Sequence, residues 1–559
     1  MKHSKTVKRK LDKKKVTKAL IIVLALIIIG VILYQINNNI VFDKNKNINL
    51  VINNKNITSN LKKDIFIQDD EIYISKQDLG NFFDKYIYED TQNNQIITTY
   101  DTKIAAISLE ENKISINGVS KKTYAQTIKK DDTIYLPIKE LEDVYGIEIS
   151  YIENSKVITI DSTSKEQKKA IVTKNLPVKS TKNFIAKTVD KIKKGSYVVV
   201  ISEDKGYTKV RTENGKLGYI KSKYLANEVT VRENMEETKQ IEGKVNLVWD
   251  YYSEYAKAPN RSEENIEGVN VLSPSFFYLE KGSDGKISEN VKQEGKDYIE
   301  WAHNNGFKVW PIVSNNSYLT TTEGILNDYT KRRKLEDEII RVTEEYNIDG
   351  INLDFENMNQ EDKDMYSRFV IELAPRLKDL GKTLTVDVTA PDGSETWSLC
   401  FDRDVLAKVS DYIVFMAYDQ YGTGGNKEGT TAGYNWVENN VNKFIGQEAV
   451  AKEKIILGIP LYTRLWKEDG GKITSKVVNI KDVESTLPSD IQKKWDEELK
   501  QNYVEYTDGS ATYKMWIEDE KSITEKIGLA KKYDLAGIAF WEKDREYDGF
   551  WQFVANEYK

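Results

Sequence analysis

Apolar and polar positions follow two rhythms along the chain, and the change falls near residue 241. Between about 46 and 226 they alternate at a period of two, as in DEIYISKQDL (70–79), NNQIITTYD (93–101) and SYVVVISEDKGYTKVRT (196–212), which predicts short, half-buried strands. From 241 onward whole runs are apolar: KVNLVWDYY, GVNVLSPSFFYL, FKVWPIVSN, IDGINLDFE, TLTVDVTAP, DYIVFMAYDQY, KIILGIPLYT and LAGIAFWE. Helical stretches such as DKDMYSRFVIELAPRLKDL (362–380) lie between most of them. Apolar strands joined by crossover helices make a parallel sheet covered on both faces, and eight is the number that closes a barrel. The pattern predicts an α/β fold, a TIM (β/α)8 barrel over 241–559. An insertion at 463–534, between strands seven and eight, is too long for an ordinary loop.

The region before the barrel has its own order. Residues 70–79 recur as DTIYLPIKEL at 132–141, and 93–101 recur as NSKVITID at 154–161. The repeat is about 60 residues long and predicts two small strand-rich units over 46–163. A polar linker, STSKEQKK, separates them from a second set of short strands at 170–226 that closes with GYIKSKYL. Ahead of everything, ALIIVLALIIIGVILY runs uncharged from Ala19 to Tyr34. With Gln35 and Ile36 it reaches about 27 Å as a helix, close to the thickness of a bilayer core, which predicts a transmembrane helix at 19–36.

Charge gives that span a direction. Residues 1–18 hold nine Lys or Arg and one Asp, and the span is followed by YQINNNIVF rather than by a small-residue cleavage site. It therefore reads as a retained single-pass anchor in the cell membrane, with 1–18 as a basic cytoplasmic tail and everything after residue 36 extracellular. The whole chain is −6 at pH 7 despite the basic tail, so the outer part is strongly acidic and a poor match for nucleic acid. The only histidines are His3 and His303, and the one cysteine is Cys400. That excludes a disulfide framework and a Cys/His zinc site. A Ser-His-Asp triad would have to rest on His303, in AHNNGF, which reads as the end of a helix before a strand. Chemistry is left to carboxylates.

The carboxylates gather in DGINLDFEN, 349–357, inside an otherwise apolar strand. Side chains alternate along a strand, so Asn352, Asp354 and Glu356 share one face if 348–356 is strand four. Glu356 then lies at the carboxyl end, where barrel enzymes carry out their chemistry. Acidic residues there could instead cap the following helix, but inward carboxylates in a buried barrel are costly for capping alone.

These residues resemble the D-x-x-D-x-D-x-E motif of glycoside hydrolase family 18, and MAYDQY (416–421), GTTAGYNWV (429–437), LGIPLYTRLW (457–466) and GIAFWE (537–542) are similar to later strands of that family, in order. The similarity covers roughly 241–559 and is nearest the chitinase-like branch with spore-cortex-lytic N-acetylglucosaminidases. It implies substrate-assisted retention, without metal or organic cofactor. Glu356 would protonate the glycosidic oxygen while the sugar's own 2-acetamido carbonyl attacks the anomeric carbon. Asp354 would hold the acetamido N–H, and Tyr418 would bond the acetamido oxygen. Asp419 would contact substrate or support the site, and Trp541 would form the floor beneath the sugar. Asn352 stands where the family has Asp; loss of that charge predicts that Asp354 ionises more readily, with Asn352 hydrogen-bonding it.

Residues 46–163 resemble the stalk-like module named after the N-terminal domain of copper amine oxidases, with no copper implied because the module lacks His and Cys. Residues 170–226 resemble bacterial Src-homology-3-like domains, which implies binding of cell-wall peptides or a packing role. Trp397, in APDGSETWSLC, is either a sugar contact or core. Together these features imply an outward-facing hydrolase of N-acetylglucosamine-containing glycans, peptidoglycan favoured over chitin. The rival readings are a non-hydrolytic, wall-binding or lectin-like protein on the same barrel, and a wall scaffold; retention of Glu356 argues for hydrolysis.

Overall fold

The structure is a computed structural model and describes residue 42 and residues 46–233, 241–422 and 427–558. The basic tail and the span expected at 19–36 lie outside the described residues. Among the described residues no helix is long and apolar enough to cross a membrane. The chain divides into two compact units at residues 237 and 238.

In the first unit the two copies of the repeat do not form separate bodies. Their equivalent strands, Glu71–Ser75 and Thr133–Pro137, pair antiparallel with Leu136 opposite Ile74. Leu50, Ile72, Ile74, Ile96, Leu136 and Ile160 then share one buried core. A copy of about 60 residues has too little apolar surface to enclose a core alone, so the two copies complete each other. Strand Asn49–Ile52 pairs parallel with Val157–Ser162 and ties the start of the module to its end. The next module is a seven-stranded sheet running from Gln167–Val172 to Leu225–Arg232 around Val172, Val178, Val198, Val210 and Ile220. Its first strand takes up the last three residues of the segment read as a linker, because Lys168 to Ile171 pair with Tyr197 to Val200.

The second unit is built on eight parallel strands. Strand one is Val245–Asp250, strand two is Val271–Pro274 continued by Phe277–Leu279, and strand three is Lys308–Val309 continued by Ile312–Ser314. Strands four to eight are Gly350–Asp354, Thr383–Val388, Tyr412–Met416, Ile455–Pro460 and Gly537–Trp541. Each pairs in parallel with the next, and strand eight pairs with both strand seven and strand one, so the ring of pairs returns to its start. Alternation sets the two layers. Val245, Leu247, Trp249, Trp310, Val414 and Ile456 belong to one buried cluster, while Val248, Leu272, Ile351, Leu353 and Phe415 pack with residues of the surrounding helices. Gly350 makes room for the first layer: a Cβ there would come within 2.6 Å of Thr383 O and 2.8 Å of the Trp310 ring.

The insertion is a five-stranded antiparallel sheet from Tyr462–Asp469 to Ala511–Ile517. It is shorter than expected, because the helix Glu520–Lys532 is the crossover that leads into strand eight.

Candidate active site

Strand four delivers its residues to the barrel mouth in an order set by its length. It ends at Asp354, so Glu356 stands two residues beyond the strand rather than on it. Asn315, fully buried in the loop after strand three, fixes that position: Glu356 N donates to Asn315 Oδ1 at 3.0 Å, and Asn315 Nδ2 donates to Glu356 O at 2.8 Å. This pair of bonds holds the Glu356 backbone as a strand partner would. Sequence reasoning missed Asn315; its only signal is a polar VSNNSY run at the end of a predicted barrel strand.

Asn352 is fully buried in a bonded frame. Its Oδ1 accepts from Trp249 Nε1 at 2.7 Å and from Ser273 Oγ at 3.2 Å. Its Nδ2 donates to Thr385 Oγ1 at 3.0 Å and to Asp387 Oδ1 at 2.6 Å. The expected partner of Asn352 was Asp354, whereas the carboxylate it bonds is Asp387 on strand five. TLTVDVTAP carries this third acid in plain sight, at an alternate position of an apolar strand, which is the signal that went unused.

Electrostatically Asp354, Glu356 and Asp387 form a cluster of acids with no cation paired to them among the described residues. Burial pushes Asp354 up to about 6. Burial, then the charges of Asp354 and Asp419, raise Glu356 well above the usual carboxylate range. Burial, then Asp354, raise Asp387 in the same way. Among the described residues none of the three forms an ion pair. Burial raises Asp354 above its ordinary value even with an amide at 352, and Asp387, bonded to Asn352, supplies a neighbouring carboxyl. The arrangement suits an acid that holds its proton at neutral pH beside a base that can lose it.

Aromatic residues close the site. Tyr418, just past strand six, is partly buried, with its hydroxyl held well above the ordinary range by burial and then by Asp387. The Trp541 ring lies nearly parallel to that of Tyr418, 6.5 Å away at 22°, and edge-on to Trp249 at 5.6 Å. Half-exposed Tyr251 extends the aromatic wall 5.9 Å from Trp541. Asp419 adopts a left-handed backbone, φ 54°, and accepts from Arg464 Nη2 at 3.0 Å. The structure thus brings Asn352, Asp354, Glu356, Tyr418, Asp419 and Trp541 to one mouth. It does not bring Asp349, which begins the motif but sits at the opposite end of strand four. There it bonds His303 Nε2 at 2.8 Å and Lys308 Nζ at 2.9 Å, so His303 serves the barrel floor. Trp397 is 43% exposed on the loop after strand five and is not core.

Closed parallel barrel, acids beyond the carboxyl end of strand four and an indole wall define a glycosidase of the barrel class. The comparison with known families agrees: the model of glycosyl hydrolases family 18 matches residues 247–546, that of the copper amine oxidase N-terminal domain matches 51–160, and that of the bacterial SH3 domain matches 174–226. The chain belongs to glycosyl hydrolase family 18. An uncharacterized glycosylase of Bacillus subtilis, YvbX, is 26% identical over 297 residues, 51% of this chain and 84% of that protein. The cortical fragment-lytic enzyme of Bacillus anthracis is 23% identical over 316 residues, 53% of this chain and 71% of that one. Among solved structures, a chitinase from Chromobacterium violaceum superposes with a TM-score of 0.50 at 22% identity, over 56% of this chain and 99% of its own. The spore cortex-lytic enzyme SleL of Bacillus megaterium does so with 0.50 at 21%, over 60% and 79%. Both share the fold.

Proposed function

We propose that the chain hydrolyses N-acetylglucosamine-containing glycans of the cell's own wall, peptidoglycan in preference to chitin, with retention of configuration and with the substrate's acetamido group as nucleophile. The observation that carries this reading is the cation-free acid cluster beneath an aromatic wall. Glu356 keeps its proton at neutral pH and donates it to the glycosidic oxygen. Cleavage of the C1–O bond leaves the electron pair on that oxygen, while the acetamido carbonyl oxygen forms its bond to C1 and gives an oxazolinium ion. Asp354, ionised, accepts the acetamido N–H and offsets the positive charge. Tyr418 O–H donates to the acetamido oxygen and orients it. Trp541 packs beneath the sugar, and Asp419, aimed by Arg464, meets a polar group of the substrate. Water activated by the Glu356 carboxylate then opens the oxazolinium ion and returns the proton.

The choice of peptidoglycan is supported by relatives named as cortical fragment-lytic enzymes and by the bacterial SH3 module, whose partner would be a wall peptide. The apolar run at 19–36 supports attachment to the cell membrane with the barrel outside. Purified full-length chain incubated with peptidoglycan sacculi and, separately, with chitin oligomers, followed by mass spectrometry, tests the reading. Release of fragments ending in N-acetylglucosamine from sacculi is expected. Binding to both substrates with cleavage of neither would replace it with the lectin-like alternative.

A further inference from the structure

Position 352 is an amide whose capacity is used up. Both Nδ2 hydrogens are given, to Thr385 and Asp387, and Oδ1 accepts from Trp249 and Ser273. An amide so bonded can neither carry nor exchange a proton. Strands four and five pair with Asn352 opposite Thr385 and Leu353 opposite Val386, so the next pair in register is Asp354 and Asp387. Alternation turns both of these toward the barrel interior.

We propose that Asp387 is the second member of the carboxylate pair at this site: it holds on Oδ2 the proton that Asp354 gives up, so that Asp354 stays ionised toward the acetamido group while the pair carries one negative charge. The proposal rests on the roles given above to Asp354 and Glu356. Asp387 Oδ1 accepts the Asn352 bond, so the proton is placed on Oδ2; the Asn352 and Trp249 N–H groups favour the charged form, and burial with the Asp354 charge outweighs them. The groups facing it are Asp354 and Glu356 from strand four, Tyr418 from the end of strand six and Tyr366 from the helix Lys363–Asp379. None is a cation. Like charges that close in a buried site do not both ionise, and the more deeply buried member keeps the proton. Asp387 is 2% exposed, and Asp354 is partly open to the mouth. Asp387 is thus a positioning residue: it acts on the substrate through the charge of Asp354.

Infrared titration of the full-length chain reads this without turnover. In a Glu356→Gln background the carboxylic-acid carbonyl absorption at neutral pH, to which Glu336 also contributes, is expected to lose one band, that of Asp387, when Asp387→Asn is added. Adding Asp354→Asn instead removes the like charge, so the Asp387 band should be lost at a pH lower by about one unit or more. Absence of the band at neutral pH, or the same titration with and without Asp354, overturns the proposal. Because no hydrolysis is needed, this result stands whether or not sacculi are cleaved. Where cleavage is found, Asp387→Asn should lower kcat about tenfold with KM within about twofold. The double variant Asn352→Asp/Asp387→Asn, which moves the carboxyl one strand over, should recover kcat to within about threefold of the parent. Asn352→Asp alone crowds three aspartates and should move the acidic limb of kcat/KM to higher pH. An unmoved limb, or a double variant no better than Asp387→Asn, assigns Asp387 to architecture alone and overturns the proposal.

Discussion

The barrel buries carboxylates in two places, and only one of them meets its acids with cations. Between the helices Tyr329–Glu345 and Lys363–Asp379, Glu372 is fully buried with Arg368 Nε at 2.7 Å and Arg332 Nε at 3.2 Å. Burial pushes Glu372 up, but the two guanidinium groups outweigh it and hold the carboxyl below its ordinary range. Glu336 beside it is met by Arg333 at 2.7 Å and Arg376 at 3.2 Å, and burial still raises it to about 8. At the mouth, Asp354 and Glu356, partly buried, and Asp387, fully buried, have no arginine or lysine paired with them, and all three rise. The difference separates architecture from chemistry. A buried acid with its cation is a strut, whereas a buried acid without one holds a proton that it can give away.

Breaking the strut should have the largest effect. Arg368→Met keeps the volume but leaves Glu372 with one guanidinium fewer, and removal of one partner of a buried pair costs about 3–5 kcal/mol of stability. Urea denaturation checks this, and a loss below about 1 kcal/mol would show that water already reaches Glu372. Turnover of the surviving folded protein should be unchanged, because the network sits on two helices outside the strands that carry the site.

Next in size is Glu356→Gln. It removes the acid without changing shape, so the fold and glycan binding should persist while turnover drops by about 10²-fold or more. Near-parental turnover in that variant would sink the assignment of Glu356.

The smallest effect sharpens the contrast in stability. The folded-state value of Asp354, about 6, lies above the ordinary carboxylate value of 3.8. Its contribution to stability is therefore fully present below about pH 4 and is lost as pH rises through about 6. Asp354→Asn should raise the melting temperature at pH 7.5 by about 2–4 °C and leave it unchanged at pH 3.5. A melting temperature that falls at neutral pH would mean that the carboxylate is paired after all.

Much of the architecture was legible because it depends on periodicity. Period-two alternation marked the stalk and SH3-like strands, and eight apolar runs with helices between them marked the barrel. Boundaries were less legible where hydrogen bonding rather than hydrophobicity decides them. Strand four stops at Asp354 because Asn315, not a neighbouring strand, bonds the backbone of Glu356. Lys168 and Lys169, polar enough to read as linker, are strand residues because Val199 and Val200 lie opposite them.

The sequence by itself determined the order of the elements and the family motif; alternation along one strand singled out Asn352, Asp354 and Glu356, and resemblance to the family's later strands singled out Tyr418, Asp419 and Trp541. It did not determine which acid neighbours which. Asp349 is five residues from Asp354 yet at the other end of the barrel, and Asp387 is thirty-three residues away yet level with it. That choice belongs to the register between strands four and five, which is set by packing and backbone pairing across the sheet, and it decides where the cluster keeps its proton.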